Sequence, residues 1–321
     1  MPIFVSTKGD DMKSYESTSA WKQLNKLLPR NFRIEDDNLP VEEIHDWKGN
    51  KIHLDRYRRP DAKYRIFLHH GVGTNGRQMN MILGHKLADA GYDVVAIDNL
   101  GYGMTEVTQK DVRYRDWVHC FADLVNQETR RDYKKPVLYG LSAGGMMCYN
   151  AACHMDEVHG IIGMCFLKND NKTVGKQTAK YGWSNWLALP AMNFLCKLGL
   201  GRIPLPMKAL SKMNLLVNNK PALKIFLKDK ASAGAWVQMQ FLYEYMTYKA
   251  EIPVTEFDKC PILLTQPEKD HWTPLHLSEI SMKGIKAPFT VKILENGGHY
   301  PMEEIALEQL LEYSVEFIQS L

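Results

Sequence analysis

Pro136-Val-Leu-Tyr-Gly-Leu-Ser142-Ala-Gly-Gly145 decides the reading of this 321-residue chain. Val137–Tyr139 is a short apolar run of the kind that forms a buried strand. Gly140-Leu-Ser142-Ala-Gly144 follows, and a helical pattern runs on from Met146. Strand, Gly-x-Ser-x-Gly, helix is the arrangement that lifts a nucleophilic serine onto a strained turn. The spacing has a steric cause. A serine forced through so tight a turn needs neighbours two positions away without side chains, which Gly140 and Gly144 supply, and Gly145 lets the helix begin close to the strand. Taken alone, the five residues are equally a glycine-rich turn whose serine caps a helix, so the rest of the chain has to decide.

Outward from this point, strand and helix signals alternate. Val41–Trp47 and Lys51–Tyr57 flank Lys48-Gly49-Asn50 and read as a hairpin. Tyr64–His69 is a strand, Gln78–Ala90 a helix ended by Gly91, Tyr92–Ile97 a strand and 111–131 a helix. Beyond the serine, the helix runs to about Met155 and a strand covers Gly160–Phe166. After a long interruption come strands at Ile262–Leu264 and Phe289–Leu294, then a closing helix at Met302–Leu321. Such alternation implies an α/β fold, with a mostly parallel sheet covered by helices on both faces. Residues 1–39 read as a polar N-terminal arm with one amphipathic piece near Ala20–Leu28. Residues 40–170 and 255–321 read as the core, and 171–254 as an insertion after the sixth strand.

Composition narrows the class. Apolar residues make up 45% and charged residues 24%, ordinary values for a globular chain, and a net charge of +3 argues against nucleic acid as a partner. Met1–Asp10 lacks the apolar stretch of a secretory leader, and no later run is long enough to span a bilayer. Cys120, Cys148, Cys153, Cys165, Cys196 and Cys260 sit in or beside apolar segments without paired spacing, as reduced thiols of a cytoplasmic protein do. No spacing suggests a metal site. His69-His70 is read as structural, because adjacent strand residues face opposite ways. No cofactor is expected.

One rival motif stands in the chain. Gly71-Val-Gly73-Thr-Asn-Gly76 matches GxGxxG, follows a strand and precedes a helix, and Asp98 ends the next strand. An NAD-dependent enzyme would use these residues. Against it, a hairpin precedes this unit, His69-His70 crowds the strand end, and Ser142 is left without a purpose. A loop in this position can instead aim a backbone N–H at a developing oxyanion.

A serine hydroxyl needs a base, and the base an orienting acid. His299 lies after the last strand in Glu295-Asn-Gly-Gly-His299-Tyr-Pro301, a loop stiffened by Pro301. For the acid, Asp270 follows the penultimate strand, with Glu268 two residues earlier. Asp170, after the preceding strand, is held in reserve.

These motifs together resemble the α/β-hydrolase superfamily, in the serine esterase and lipase branch that includes monoacylglycerol lipases. The resemblance covers roughly residues 40–321 and rests on His70-Gly71-Val72-Gly73, Asp98-Asn-Leu-Gly101-Tyr-Gly103, Gly140-Leu-Ser142-Ala-Gly144-Gly145, Glu268-Lys-Asp270 and Gly298-His299. It implies an eight-stranded sheet with a helical cap inserted after strand six. It implies Ser142 as nucleophile, His299 as base, Asp270 as acid, and the Val72 and Ala143 N–H groups as the oxyanion hole. The chain departs from the branch at Pro267, where glycine is common, and at Leu141, where many relatives carry histidine.

The insertion has its own composition. From Asn171 to Lys230 there are eleven Lys or Arg residues against the single acid Asp229, among crowded apolar residues. Pro190, Pro204, Pro206 and Pro221 are expected to divide it into short helices. Trp183, Trp186, Met192 and Met207 are candidates to line an acyl pocket, with the lysines as a rim that could meet a membrane surface. The expected substrate is a small-molecule ester or lactone with an apolar chain. Hydrolysis of acyl-homoserine lactones or of amides uses the same site, and a binding protein on a hydrolase scaffold is the reading from another class.

Overall fold

The computed structural model describes residues 13–180 and 185–321. Ten strands are present among the described residues: β1 (Val41–Trp47), β2 (Asn50–Tyr57), β3 (Tyr64–His69), β4 (Asp93–Ile97), β5 (Lys135–Gly140), β6 (Gly160–Gly163), β7 (Pro204–Pro206), β8 (Trp236–Gln238), β9 (Ile262–Pro267) and β10 (Phe289–Leu294). Eight form one sheet in the order β1-β2-β4-β3-β5-β6-β9-β10, and β7 pairs only with β8. β1, β2 and β4 pair antiparallel, and all later pairings in the large sheet are parallel. β3, β4 and β6 are buried along their whole length, as parallel strands covered on both faces must be. This is the expected α/β-hydrolase architecture.

Local chemistry explains the places where boundaries moved. The hairpin turn is two residues, with Lys48 at φ 52° and Gly49 at φ 80°, so Asn50 already pairs with Trp47. β6 is short: the Met164 N–H makes the last bond to β5, at the Gly140 carbonyl, and the Phe166 N–H leaves the sheet to donate to Ser278 Oγ. The helix after Ser142 begins at Ala143 rather than Met146, since its glycines carry no apolar period for a sequence to show. Pro190 does not divide the insertion as expected: it sits inside the helix Asn185–Lys197. Pro221 starts the helix Lys220–Lys228, where a missing N–H costs nothing. Pro204 and Pro206 lie in β7.

The described part of the N-terminal arm, from residue 13, contributes to the core. Tyr15, Trp21, Leu24, Leu28 and Phe32 are buried. The Tyr15 hydroxyl lies 2.9 Å from both oxygens of Asp98. The Arg77 guanidinium is packed against the rings of Tyr15 and Trp21, at 4.8 and 4.6 Å, and bonds Asp55 and Glu42. His53 completes this buried group, with Nε2 2.8 Å from Glu42 and Nδ1 2.9 Å from Asp98. Burial alone would discharge this imidazole, yet hydrogen bonding and charge from Asp98 and Glu42 outweigh it and raise its pKa to about 10.

The sign of the resulting pH dependence is fixed. The folded value lies above the ~6.5 of an unfolded histidine, so this contribution is complete below that pH and is lost as the pH rises through 10. Urea unfolding from pH 6 to pH 10 should show a decline in stability that His53→Gln flattens. An unchanged slope in the variant would remove His53 as its source.

Candidate active site

Ser142 sits between β5 and the helix Ala143–Ala152 with φ 58° and ψ −124°. A non-glycine residue there stores strain of about 1–3 kcal/mol and needs its surroundings to enforce it. Backbone crowding does so. A Cβ on Gly140 would meet the Gly144 carbonyl at 2.2 Å, and one on Gly145 would meet the Cys165 carbonyl at 1.9 Å. The serine is held at the helix N-terminus, where the helix dipole is positive.

The other two expected side chains meet across the ends of β9 and β10. His299 Nδ1 lies 2.9 Å from Asp270 Oδ2, and both residues are buried. Asp270 Oδ1 accepts the Trp272 and Thr273 amides at 2.8 Å each, and Oδ2 accepts the Thr273 hydroxyl at 2.6 Å. Burial pushes this carboxyl's pKa up, but the His299 charge and hydrogen bond and the Thr273 bonds prevail and hold it at about 2. The Thr273 oxygen also lies 3.0 Å from His299 Nδ1 and can accept from it. His299 is thereby oriented through Nδ1, while its Nε2 is buried and has no partner among the described residues.

Asp170 is elsewhere, 3.9 Å from Lys168 Nζ, and Glu268 is a surface group that accepts the Asn296 amide. Ser142 and His299 are not joined by a hydrogen bond. Ser142 lines a cavity of about 140 Å³ that His299 does not itself line; Trp272, whose ring lies 4.7 Å from that of His299, is part of its wall. Val72, Met192 and Met207 also line it. Trp183 and the side chain of Trp186 lie outside the described residues.

The loop after β3 is locked from two sides. His70 Nδ1 lies 2.7 Å from the Gly71 carbonyl, while Nε2 takes the Asn99 amide at 3.0 Å, which fixes the tautomer as Nδ1–H. Burial depresses the pKa of His70 to about 4, so the ring stays neutral. In a trans peptide the C=O and N–H point opposite ways, so holding the Gly71 carbonyl sets the direction of the Val72 N–H. The Tyr102 hydroxyl donates to the Val72 carbonyl at 2.9 Å and fixes the next peptide. The Val72 and Ala143 amides donate to no acceptor among the described residues.

Asp98, the acid of the rival dinucleotide motif, has its oxygens occupied by the Gly76 and Met104 amides and the Tyr15 hydroxyl, which leaves neither for a ribose. Glu42, His53 and Asp55 approach closely enough to suggest a cation site, but Arg77 already bonds both carboxylates. The six cysteines are free, and four of them are buried. Among the described residues no helix is long and apolar enough to cross a membrane.

Sequence reading passed over Thr273 and Tyr102. A threonine three residues after a candidate acid is the signal for the first. The second carries no signal apart from its place in the Gly101-Tyr-Gly103 turn. Thr273→Val should raise the Asp270 pKa from about 2 towards the ordinary carboxylate range, because a bond to the charged form is lost. Carbon-13 titration of the Asp270 carboxyl reads this directly, and an unmoved midpoint would assign the stabilisation to His299 and the amides alone.

Comparison with known proteins agrees with the architecture. A family model described as "Alpha/beta hydrolase family" matches residues 66–312. A search of the curated proteins gave no match. Among solved structures, a soluble variant of monoglyceride lipase from Saccharomyces cerevisiae, in complex with a substrate analogue, is 16% identical with a TM-score of 0.72, covering 91% of this chain and 98% of that one. A hypothetical protein from Pseudomonas aeruginosa is 14% identical with a TM-score of 0.68, covering 97% and 99%. A monoacylglycerol lipase from Paleococcus ferrophilus is 18% identical with a TM-score of 0.65, covering 84% and 98%. At these identities the structural likeness speaks for the fold. The match of the family model over most of the sequence goes further: the chain belongs to the alpha/beta hydrolase family.

Proposed function

We propose that the protein is a serine hydrolase that cleaves a carboxylic ester with an apolar acyl chain. The observation that carries this reading is His299, oriented through Nδ1 by buried Asp270 and left with a free Nε2, beside a cavity bordered by a strained serine. Binding alone needs no such set. Ser142 attacks the carbonyl carbon as His299 takes its proton. The Val72 and Ala143 amides receive the oxyanion, each worth about 3 kcal/mol in the transition state. The imidazolium then protonates the departing alcohol, and a water activated by His299 releases the acid and frees Ser142. The absence of a Ser142–His299 hydrogen bond is no obstacle, since such bonds tighten when substrate binds.

Ser142→Ala should abolish ester turnover and labelling by a fluorophosphonate while unfolding at the same urea concentration as the parent. Asp270→Asn should lower kcat by about 10⁴, the size of loss when a base is left in the wrong tautomer. Asp170→Asn should leave it within a factor of two or so, for a partly exposed group outside the site. Full turnover by Ser142→Ala, or the reverse order of the two aspartates, would refute the assignment.

The insertion serves in this reading as the cap of the acyl site and as its contact with lipid. Phe194, in the last turn of the helix Asn185–Lys197, and Leu198, just beyond its end, are 62% and 60% exposed, and Trp236 is 56% exposed. Lys197, Lys208 and Lys220 are exposed on the same segment. Apolar side chains beside cations suit an anionic bilayer surface. Sedimentation with vesicles containing phosphatidylglycerol should capture the protein, and Phe194→Ser with Leu198→Ser should release it. Equal capture of parent and double variant would exclude this face.

A further inference from the structure

The acyl cavity has a polar neighbour. A second chamber of about 20 Å³ is bounded by Tyr114, Met146, Asn150, Asn169, Tyr245 and Tyr248. Leu167 and Tyr245 belong to the walls of both spaces, so the two adjoin. The chamber differs from the methionine- and leucine-lined cavity beside it: five of its nine lining residues, three tyrosines and two asparagines, carry a hydroxyl or an amide, and Lys168 and Ala250 also border it.

Asn150 is its distinctive member. It is 4% exposed. Its Nδ2 donates to the Tyr114 hydroxyl at 3.0 Å, and its Oδ1 is buried with no partner among the described residues. A buried amide oxygen without a donor is costly, and native structures rarely leave one so. Were the amide turned about, the unpaired atom would be a donor instead, and a hydroxyl, which both donates and accepts, would satisfy either orientation.

Position ties the chamber to the nucleophile. Asn150 lies in the helix that starts immediately after Ser142, eight residues on. At 1.5 Å per residue that is about 12 Å along the helix axis. Met146, halfway between, lines the chamber as well.

We propose that this chamber is a specificity pocket for a hydroxyl group carried far along the acyl chain, so that the substrates are esters of medium-chain hydroxy acids. The inference rests on the reading of Ser142 as the acylated serine. The apolar stretch of the chain occupies the larger cavity, passes between Leu167 and Tyr245, and delivers its hydroxyl to Asn150. A plain alkyl end would strip water from the amide and return no hydrogen bond, which is how a polar site rejects an isostere lacking the polar group.

The test is calorimetric titration of the whole protein with medium-chain ω-hydroxy acids and their unsubstituted counterparts. At the length that reaches the chamber, the hydroxy acid should bind about tenfold more tightly, or 1.4 kcal/mol. Asn150→Leu should erase the preference while leaving hydrolysis of an acetate ester unchanged, because that acyl group does not reach the chamber. Absence of a hydroxyl preference at every length, or its survival in Asn150→Leu, would overturn the proposal and leave the chamber to a water molecule, for which it has room. If Asn150→Leu does not fold, a crystal structure of the parent with the hydroxy acid decides: a hydroxyl bonded to Asn150 supports the pocket, and one placed elsewhere refutes it. Fluorophosphonate labelling reports on Ser142 independently, so failure of the hydrolase reading is distinguishable from failure of the pocket.

Discussion

The structure depends on one forced backbone conformation. Ser142 is held at φ 58° and ψ −124°, a region that costs an L-residue about 1–3 kcal/mol. Nothing local rewards it, and the serine makes no capping bond to its own helix. What holds it is the closeness of backbone on every side: the Gly144 carbonyl against Gly140, the Cys165 carbonyl against Gly145, and the β3 end against Gly144. Strand, turn and helix therefore pack more tightly than any residue with a Cβ would permit. A packed core of this density behaves as a rigid frame, so the strain stays concentrated on one side chain.

The remaining site elements are loops, and each is fixed through backbone groups. His70 and Tyr102 hold successive carbonyls of the loop after β3. Trp272 and Thr273 give their amides to Asp270. The insertion then ties these loops to one another. The Tyr300 amide, next to His299, donates to the Leu216 carbonyl, and Asn218 reaches the carbonyl of Lys269, next to Asp270. In the proposed reading, fixing peptides rather than side chains suits a site that aims N–H dipoles, because their cost of reorganisation falls on folding and not on each turnover.

Legibility in the sequence followed the range of the interaction. The sheet was readable because apolar runs and turn residues are local signals, and β1, β3 and β10 fall on the expected spans. Ser142, Asp270 and His299 were readable as candidates because each follows a strand, and position after a strand is a property of the chain. Asp270 was favoured over Asp170 from the sequence although both stand after strands; in the structure Asp270 lies against His299, and Asp170 lies near Lys168 instead. The arm was illegible. Tyr15 finds Asp98 across 83 residues, and no composition or period announces such a pair. Pro190 misled because proline's cost in a helix is a tendency and not a prohibition: it stands inside the helix Asn185–Lys197.

The buried charges around Asp98 follow from the same demand for fixed loops. Removing ions from water is expensive, and such groups are weak evidence for stability in themselves. Their value lies in what they connect. Asp98 receives the Gly76 amide from the start of one helix, the Met104 amide from the turn that carries Tyr102, and the Tyr15 hydroxyl from the arm. An apolar side chain in its place would fill the volume and leave two amides unbonded beside the loop that bears Val72. His53, charged between Asp98 and Glu42, offsets the carboxylates without competing for those amides. The network converts the cost of burying charge into a single allowed arrangement of three segments, and the loop that faces Ser142 is one of them.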